Sequence, residues 1–214
     1  MNASSASSGV GMIDGCKTDF RCVTLSSTAP ESLGVAVATV RSGGWGLIDC
    51  REGASPPELV NHRFDELIRR TAGAIGLPGL ALNLVDAVNE SLLAQLATVE
   101  HVLLVQLPAD AELDACKHLV NCPQRVLLLQ APITWNLQYC SGDSLVSADQ
   151  IDGWVVVGSE LTRSDSDSSV FVVAQQALAS TDRPVYAQGG FGPRATQAFR
   201  AMGCSGVILD EKTF

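Results

Sequence analysis

The chain of 214 residues is long enough to bury a sizeable core, and 46% hydrophobic with 17% charged residues is typical of a globular protein. Its formal net charge of -9 argues against nucleic acid as a partner, because two polyanions repel each other. No apolar run reaches the roughly 20 residues that span a bilayer, and the first residues lack the basic start of a signal peptide. We therefore predict a cytoplasmic protein with no membrane segment.

Residues 1–15 are small and polar, and we predict them to be a flexible N-terminal segment ahead of one domain over residues 16–214. The seven cysteines are an odd number at irregular spacing, without a C-x-x-C pair. Neither a disulfide framework nor a zinc site is indicated, and no metal is expected.

Eight short apolar runs, many of them β-branched, predict β-strands along the chain. In order they are residues 20–26, 45–50, 79–85, 101–107, 125–130, 153–158, 184–188 and 206–210. Stretches with helical periodicity lie between them, at residues 31–42, 64–75, 89–98, 110–121, 144–150, 168–180 and 193–202.

The strands are near-continuous apolar runs, which is typical of parallel strands covered on both faces. Eight such β/α units predict a TIM (β/α)8 barrel, with a doubly wound sheet as the rival fold. The sequence stops at EKTF after Asp210, so the barrel is expected to lack its last helix. We therefore expect a piece of a longer polypeptide, or a barrel completed by its N-terminal segment or by a partner, such as a second copy in a homo-oligomer.

A glycine motif follows the seventh strand. Gly190, Gly192 and Ala195 are spaced like a dinucleotide-binding fingerprint, with Asp210 about twenty residues on. In a barrel, the loops after strands seven and eight bind phosphate instead, and the unhindered N–H groups of Gly189 and Gly190, with the amino end of the helix that follows, would cradle it. The alternative is that these glycines only form a tight turn.

Four stretches carry the motifs of a known family. They are PVYAQGGFGPRATQAFRAMGCSGVILD (residues 184–210), PESLGVAVATVRSGGWGLID (30–49), GWVVVGSE (153–160) and ALNL (81–84). Together they resemble the nitronate monooxygenases, or 2-nitropropane dioxygenase-like proteins, which are FMN-binding TIM barrels. With an aspartate at the end of strand eight, the chain resembles the form of this domain that is found in polyketide synthase polypeptides.

The resemblance implies FMN as cofactor, a small-molecule or acyl substrate, and other synthase domains as partners. Gly189 and Gly190 would hold the flavin phosphate, Asn83 would approach the ring or ribityl chain, and Gln188 would line the pocket. Asp210 stands where the family has a neutral residue. A negative charge about 5 Å from a phosphate costs roughly 3 kcal/mol at an effective dielectric constant of 20, so Asp210 is expected to face ribityl hydroxyls or Arg194 if flavin binds.

The chain departs from the family after Gly158-x-Glu160, where active nitronate monooxygenases have A-G-G-H with a histidine base. Leu161 to Ser164 occupy these positions here, and His62 is expected in the loop after strand two. Cys50 ends strand two without a histidine beside it. Two hypotheses follow. In the first, the chain is a flavin-dependent oxidoreductase, either nitronate monooxygenase-like or enoyl-reductase-like. In the second, it is a catalytically inactive structural or docking domain of a multidomain synthase.

Overall fold

The computed structural model describes residues 20–51, 55–83, 92, 96–107, 125–130, 150–158, 168–189 and 191–210. Eight parallel strands close into a barrel in sequence order, and the last strand pairs with the first. The strands are Arg21–Ser27 (β1), Trp45–Asp49 (β2), Leu77–Asn83 (β3), His101–Gln106 (β4), Arg125–Gln130 (β5), Gly153–Val157 (β6), Val185–Gln188 (β7) and Gly206–Asp210 (β8). The predicted TIM barrel is confirmed, and the doubly wound alternative is wrong because an open sheet has no such closing pair.

In the described part of the chain, four helices with defined bounds pack outside the strands. They are Leu33–Arg41 (α1), Pro57–Thr71 (α2), Val170–Ser180 (α3) and Pro193–Met202 (α4). Three of them lie where the sequence predicts helices. The helix predicted at 110–121 lies outside the described residues, and so do most of the helices predicted at 89–98 and 144–150. Residues 1–15 and 211–214 also lie outside them, so the expected absence of a last helix stays a prediction.

Helix α2 corrects the prediction of a helix over residues 64–75. It starts seven residues earlier, because Pro57 occupies a first-turn position, where its missing N–H costs nothing. It ends at Thr71, and Gly73 follows with a φ of 76° that stops the helix. His62 therefore lies on an exposed helix face instead of in a loop at the barrel mouth.

The strands are buried on both faces, as their apolar runs predict. On β4, Val102 and Leu104 belong to the cluster inside the barrel, whereas Leu103 and Val105 belong to the cluster beneath the helices. Full burial of one such side chain stabilises the fold by about 1.5–3 kcal/mol. The alternation also determines which residue of each strand points into the lumen.

The amino half of the lumen is filled by aromatic rings. Tyr186 lies with its ring centroid 5.7 Å from that of Trp45. A Cβ added to Gly153 or Gly206 would come within 2.9 Å of the Tyr186 ring, so these two glycines make room for it. Space for ligand chemistry is thereby left to the carboxyl end of the barrel, where TIM barrels carry their sites.

Glycines also allow α1 to pack closely on β2. Gly43 adopts a φ of 89° in the turn between them, which disfavours any other residue. A Cβ on Gly46 would overlap the backbone carbonyl of Ala36 in α1. The S-G-G-W-G motif that contributes to the family resemblance thus has a packing role. Within the described part of the chain, no helix is long and apolar enough to cross a membrane.

Candidate active site at the carboxyl end of the barrel

Amide or carboxylate side chains end six of the eight strands on the lumen side. Alternation with the buried residues of the inner cluster points each of them inward. We call this set the mouth ring. It consists of Asp49 (β2), Asn83 (β3), Gln106 (β4), Gln130 (β5), Gln188 (β7) and Asp210 (β8). The register places Asn83 beside Gln106 and Gln106 beside Gln130, so these three amides are neighbours on adjacent strands.

Arg51 follows β2 and folds back over the mouth ring. Its side chain is only 7% exposed. Nε lies 2.9 Å from Oδ1 of Asp49 and Nη2 lies 2.8 Å from Oδ2, which is a two-pronged ion pair. The Arg51 backbone N–H also donates to Asp49 Oδ1 at 3.0 Å. Two residues that are neighbours in sequence therefore form one rigid unit.

The remaining contacts of Arg51 join three further strands. Its Nη1 donates to Oε1 of Gln130 and, at 3.3 Å, to Oε1 of Gln188. Asn83 Nδ2 donates to the Arg51 backbone carbonyl at 2.7 Å. Arg51 is thus bonded to side chains from β2, β3, β5 and β7, and it forms the centre of the site.

The charges at the mouth nearly cancel. A buried guanidinium is expensive to desolvate, and the Asp49 carboxylate with the additional hydrogen bonds offsets much of that cost. Arg51 and Asp49 together are neutral, so Asp210 is the remaining formal charge among the mouth ring and Arg51. The site therefore offers mainly neutral amide groups to a ligand.

The predicted phosphate loop lies at the end of β7. The Gly189 N–H donates to the carbonyl of Ile208 at 3.0 Å, so it belongs to the barrel's hydrogen bonding. A Cβ on Gly189 would lie 2.5 Å from Cζ of Phe191, whose ring packs on Phe199 with centroids 4.7 Å apart. The Gly189 N–H predicted to cradle a phosphate is therefore bonded within the barrel, and the Phe191 ring occupies the space beside its Cα, while Gly190 lies outside the described residues.

Helix α4 begins directly after that loop and points its amino end toward the mouth side. Gly192 precedes the helix without a side-chain cap, and a Cβ there would meet nothing within 4 Å. Arg194 lies exposed in the first turn. Unsatisfied N–H groups at a helix amino end favour an anion, and a cationic side chain adds to that preference.

Among the described titratable groups, His101, Tyr186 and Cys204 lie away from the mouth. His101 begins β4 at the amino end of the barrel, is fully buried, and has Nδ1 2.8 Å from the Val99 carbonyl oxygen. Burial lowers its pKa and raises the pKa of Tyr186 to about 12 and that of Cys204 to about 11. Cys50 is buried with its Sγ 3.8 Å from the Ile48 carbonyl oxygen, which favours a structural role.

Sequence reasoning selected Asn83, Gln188, Gly189, Gly190 and Asp210 for this site, and the structure brings the first two together through Arg51. It missed Arg51 and Gln130. Gln130 carried a readable signal, since it is a polar residue that ends an apolar strand, as Gln188 does. Arg51 was placed only at the functional face after strand two, because its contacts with Gln130 and Gln188 depend on the fold that brings these strands together.

No family model and no curated protein sequence matches the chain. Solved structures do match in fold. FabK from Thermotoga maritima has a TM-score of 0.67 at 18% identity, over 92% of this chain and 60% of FabK. Phosphoribosyl anthranilate isomerase from Thermus thermophilus has 0.58 at 12%, over 89% and 87% of the two chains, and the HpcH/HpaI aldolase from Desulfitobacterium hafniense has 0.59 at 8%, over 91% and 88%.

The chain spans about three fifths of the length of FabK, whereas it spans most of the isomerase and the aldolase. At these identities the likeness concerns the arrangement of the strands and helices. Together with the closed ring of eight parallel strands, it shows that this chain has the TIM-barrel fold.

Proposed function

We propose that this chain is an FMN-binding barrel of the flavin-dependent oxidoreductase kind, acting on an acyl substrate. The observation that carries the proposal is the cluster of three neutral amides, Asn83, Gln130 and Gln188, held around Arg51 at the carboxyl end of the barrel. Such a cluster suits a large, planar ligand whose edge carries carbonyl and N–H groups, and the pyrimidine edge of a flavin is of this type.

The phosphate of FMN has a separate candidate site on the same side. The amino end of α4 supplies backbone N–H groups, and Arg194 supplies a positive charge next to them. Phe191 packs against Gly189 and Phe199, which anchors the loop that leads into α4. These residues fit a phosphate, and the Asp210 carboxylate at the end of β8 would oppose it electrostatically.

FMN, when bound, supplies hydride transfer, and the protein supplies orientation and a dry environment. Asn83, Gln130 and Gln188 would orient the ring edge, and Arg51 would hold these amides in place. The apolar layer beneath, including Leu104 and Leu128, would exclude water from the underside of the ligand.

An enoyl-reductase-like reaction is the form of this chemistry that the residues favour over nitronate oxidation. In the described part of the chain, His62 lies on the outer face of α2 and His101 at the amino end of the barrel, so neither can deprotonate a ligand at the mouth. Hydride transfer to an activated double bond needs no such base. The likeness in fold to FabK supports the proposal at the level of the barrel.

The finer expectations belong to the same proposal. An acyl group delivered by other domains of a polyketide or fatty-acid synthase would be the substrate, and a second copy of the chain is a further candidate partner.

A docking domain without catalysis is the second candidate. The observation that favours it is that polar groups of the protein already bond to each other at the mouth. Arg51 is paired with Asp49, and the Gly189 N–H donates to the Ile208 carbonyl. A site that satisfies its own polar groups has less to offer a ligand.

Spectroscopy and turnover separate the two candidates. We expect the purified chain, or the chain after incubation with FMN, to show the two flavin absorption bands. We expect the loaded protein to oxidise NADH or NADPH with a short enoyl thioester as acceptor, and to leave an alkyl nitronate unchanged. A protein that binds flavin and consumes the nitronate would contradict the reductase assignment, and one that binds no flavin would support the docking role.

A further inference from the structure

We infer that Arg51 is a positioning residue that turns the amide N–H groups of Gln130 and Gln188 toward the ligand, so that the mouth selects a ligand edge rich in carbonyl oxygens. The inference rests on the proposed function, and it specifies which edge of the ligand the site binds. Of its residues, Asn83 and Gln188 are included in the family resemblance, whereas Arg51 and Gln130 are not.

The orientation of the two glutamines follows from the chemistry of arginine. A guanidinium has N–H donors and no acceptor, so any side-chain amide that bonds to it must present its oxygen. Gln130 and Gln188 both meet Nη1 of Arg51, and both therefore direct Oε1 inward to it. Their Nε2 groups, each with two N–H donors, must then point away from Arg51.

Asn83 is fixed in the opposite sense. Its partner is the backbone carbonyl of Arg51, which can only accept, so the amide presents Nδ2 to it at 2.7 Å. Its Oδ1 then points away from Arg51. One residue thus sets the orientation of three amides, two with donors outward and one with an acceptor outward.

This set of groups defines a ligand class. Two outward donors and one outward acceptor complement an edge in which an N–H lies between two carbonyl oxygens, as in a cyclic imide. The pyrimidine edge of an isoalloxazine ring has that pattern. A ligand with reversed donors and acceptors would leave buried amide groups unpaired, and such a mismatch is costly.

The purely structural alternative is that Arg51 only neutralises Asp49. The chain offers a comparison pair at the amino end of the barrel, where Arg125 Nη1 lies 3.0 Å from Asp152 Oδ2. There the pair also bonds to backbone groups, since Arg125 Nη2 donates to the Gln150 carbonyl and Asp152 accepts from the Leu127 N–H. Arg51 instead holds the side chains of the mouth ring, which suits a positioning role.

Flavin titration of Arg51→Lys tests the inference. Lysine keeps the charge that Asp49 needs but lacks the planar fork that reaches two glutamines at once. We expect Arg51→Lys to weaken binding of both FMN and riboflavin by about tenfold, which corresponds to roughly one hydrogen bond. Arg125→Lys, the matched change at the other end of the barrel, should leave both affinities within about twofold.

Riboflavin separates the ring edge from the phosphate, because it carries the same ring without the phosphate. Equal losses for FMN and riboflavin support the inference. A loss for FMN alone would overturn it, since Arg51 would then act on the phosphate. Unchanged affinity for both flavins would also overturn it while leaving the proposed function in place.

A second measurement needs no ligand. In 15N NMR spectra, the side-chain NH2 signals of Gln130 and Gln188, assigned by their loss in Gln130→Glu and Gln188→Glu, should be dispersed in the wild type. They should collapse toward the positions of free glutamine in Arg51→Lys and stay in place in Arg125→Lys. Signals unmoved by Arg51→Lys would overturn the inference. If no flavin binds to the wild type, the proposed function fails and this spectrum still decides the positioning role.

Discussion

Arg51 and Asp49 form a two-pronged ion pair across a single intervening residue, with Nη2 and Oδ2 2.8 Å apart and both side chains at least nine-tenths buried. Asp49 is the last residue of β2 and points into the lumen, so the pair brings the guanidinium over the centre of the barrel. This placement makes the carboxyl end a closed polar layer built around one cation.

Removal of the cation alone should destabilise the barrel strongly. Arg51→Met leaves the Asp49 carboxylate buried without its partner, which costs roughly 3–5 kcal/mol of unfolding free energy. The double variant Asp49→Leu/Arg51→Met removes both charges and should recover most of that loss. Urea unfolding monitored by tryptophan fluorescence measures both. A double variant less stable than Arg51→Met would contradict the neutral-pair account.

The glycine that ends β7 should not tolerate a side chain. In Gly189→Ala the added Cβ would meet the Phe191 ring, which is itself packed on Phe199, so the aromatic pair must shift. We expect a loss of roughly 1–3 kcal/mol in unfolding free energy. Gly34→Ala is the control, because it lies in α1 with nothing within 4 Å of the new Cβ, and it should stabilise by about 0.5–1 kcal/mol.

Stability should fall at acid pH because of His101. Burial holds its pKa in the folded protein below 6.5, so the unfolded chain takes up the proton first as pH falls. The contribution of His101 is therefore complete above the unfolded pKa and is lost as pH falls from 6.5 toward the lower folded value.

Unfolding titrations between pH 8 and pH 5 measure this slope. We expect His101→Gln to flatten the pH dependence, and the exposed control His62→Gln to keep it. If the pH dependence of stability persists in His101→Gln and disappears in His62→Gln, it arises from His62, and the prediction for His101 is wrong.

Much of the fold was readable because each strand of a TIM barrel is buried on both faces and so appears as an unbroken apolar run. The ends of α2 were less readable, since the start depends on Pro57 and the stop on the backbone angle of Gly73. The site was readable where a polar residue ends a strand, as with Asn83 and Gln188. The role of Arg51 was not, because it arises from contacts with residues up to 137 positions away in sequence.

Asp210 should oppose the cofactor phosphate. Asp210→Asn removes a negative charge at the end of β8 and should strengthen FMN binding, by up to about a hundredfold if the carboxylate lies about 5 Å from the phosphate. Riboflavin, which has no phosphate, should show no such gain. Weaker binding of FMN by Asp210→Asn would mean that the carboxylate contacts the ribityl hydroxyls and stabilises the ligand there.

The most direct test of the central claim is a fluorescence titration of FMN against the wild type and Gln188→Leu. Loss of the amide removes a ring-edge donor and the acceptor that Arg51 uses, while leaving the α4 end intact. We expect saturable quenching of flavin fluorescence by the wild type and binding at least about tenfold weaker in Gln188→Leu. A folded wild type that leaves the fluorescence unchanged at high micromolar FMN, or a Gln188→Leu variant that binds equally well, would contradict a flavin site built on the mouth ring.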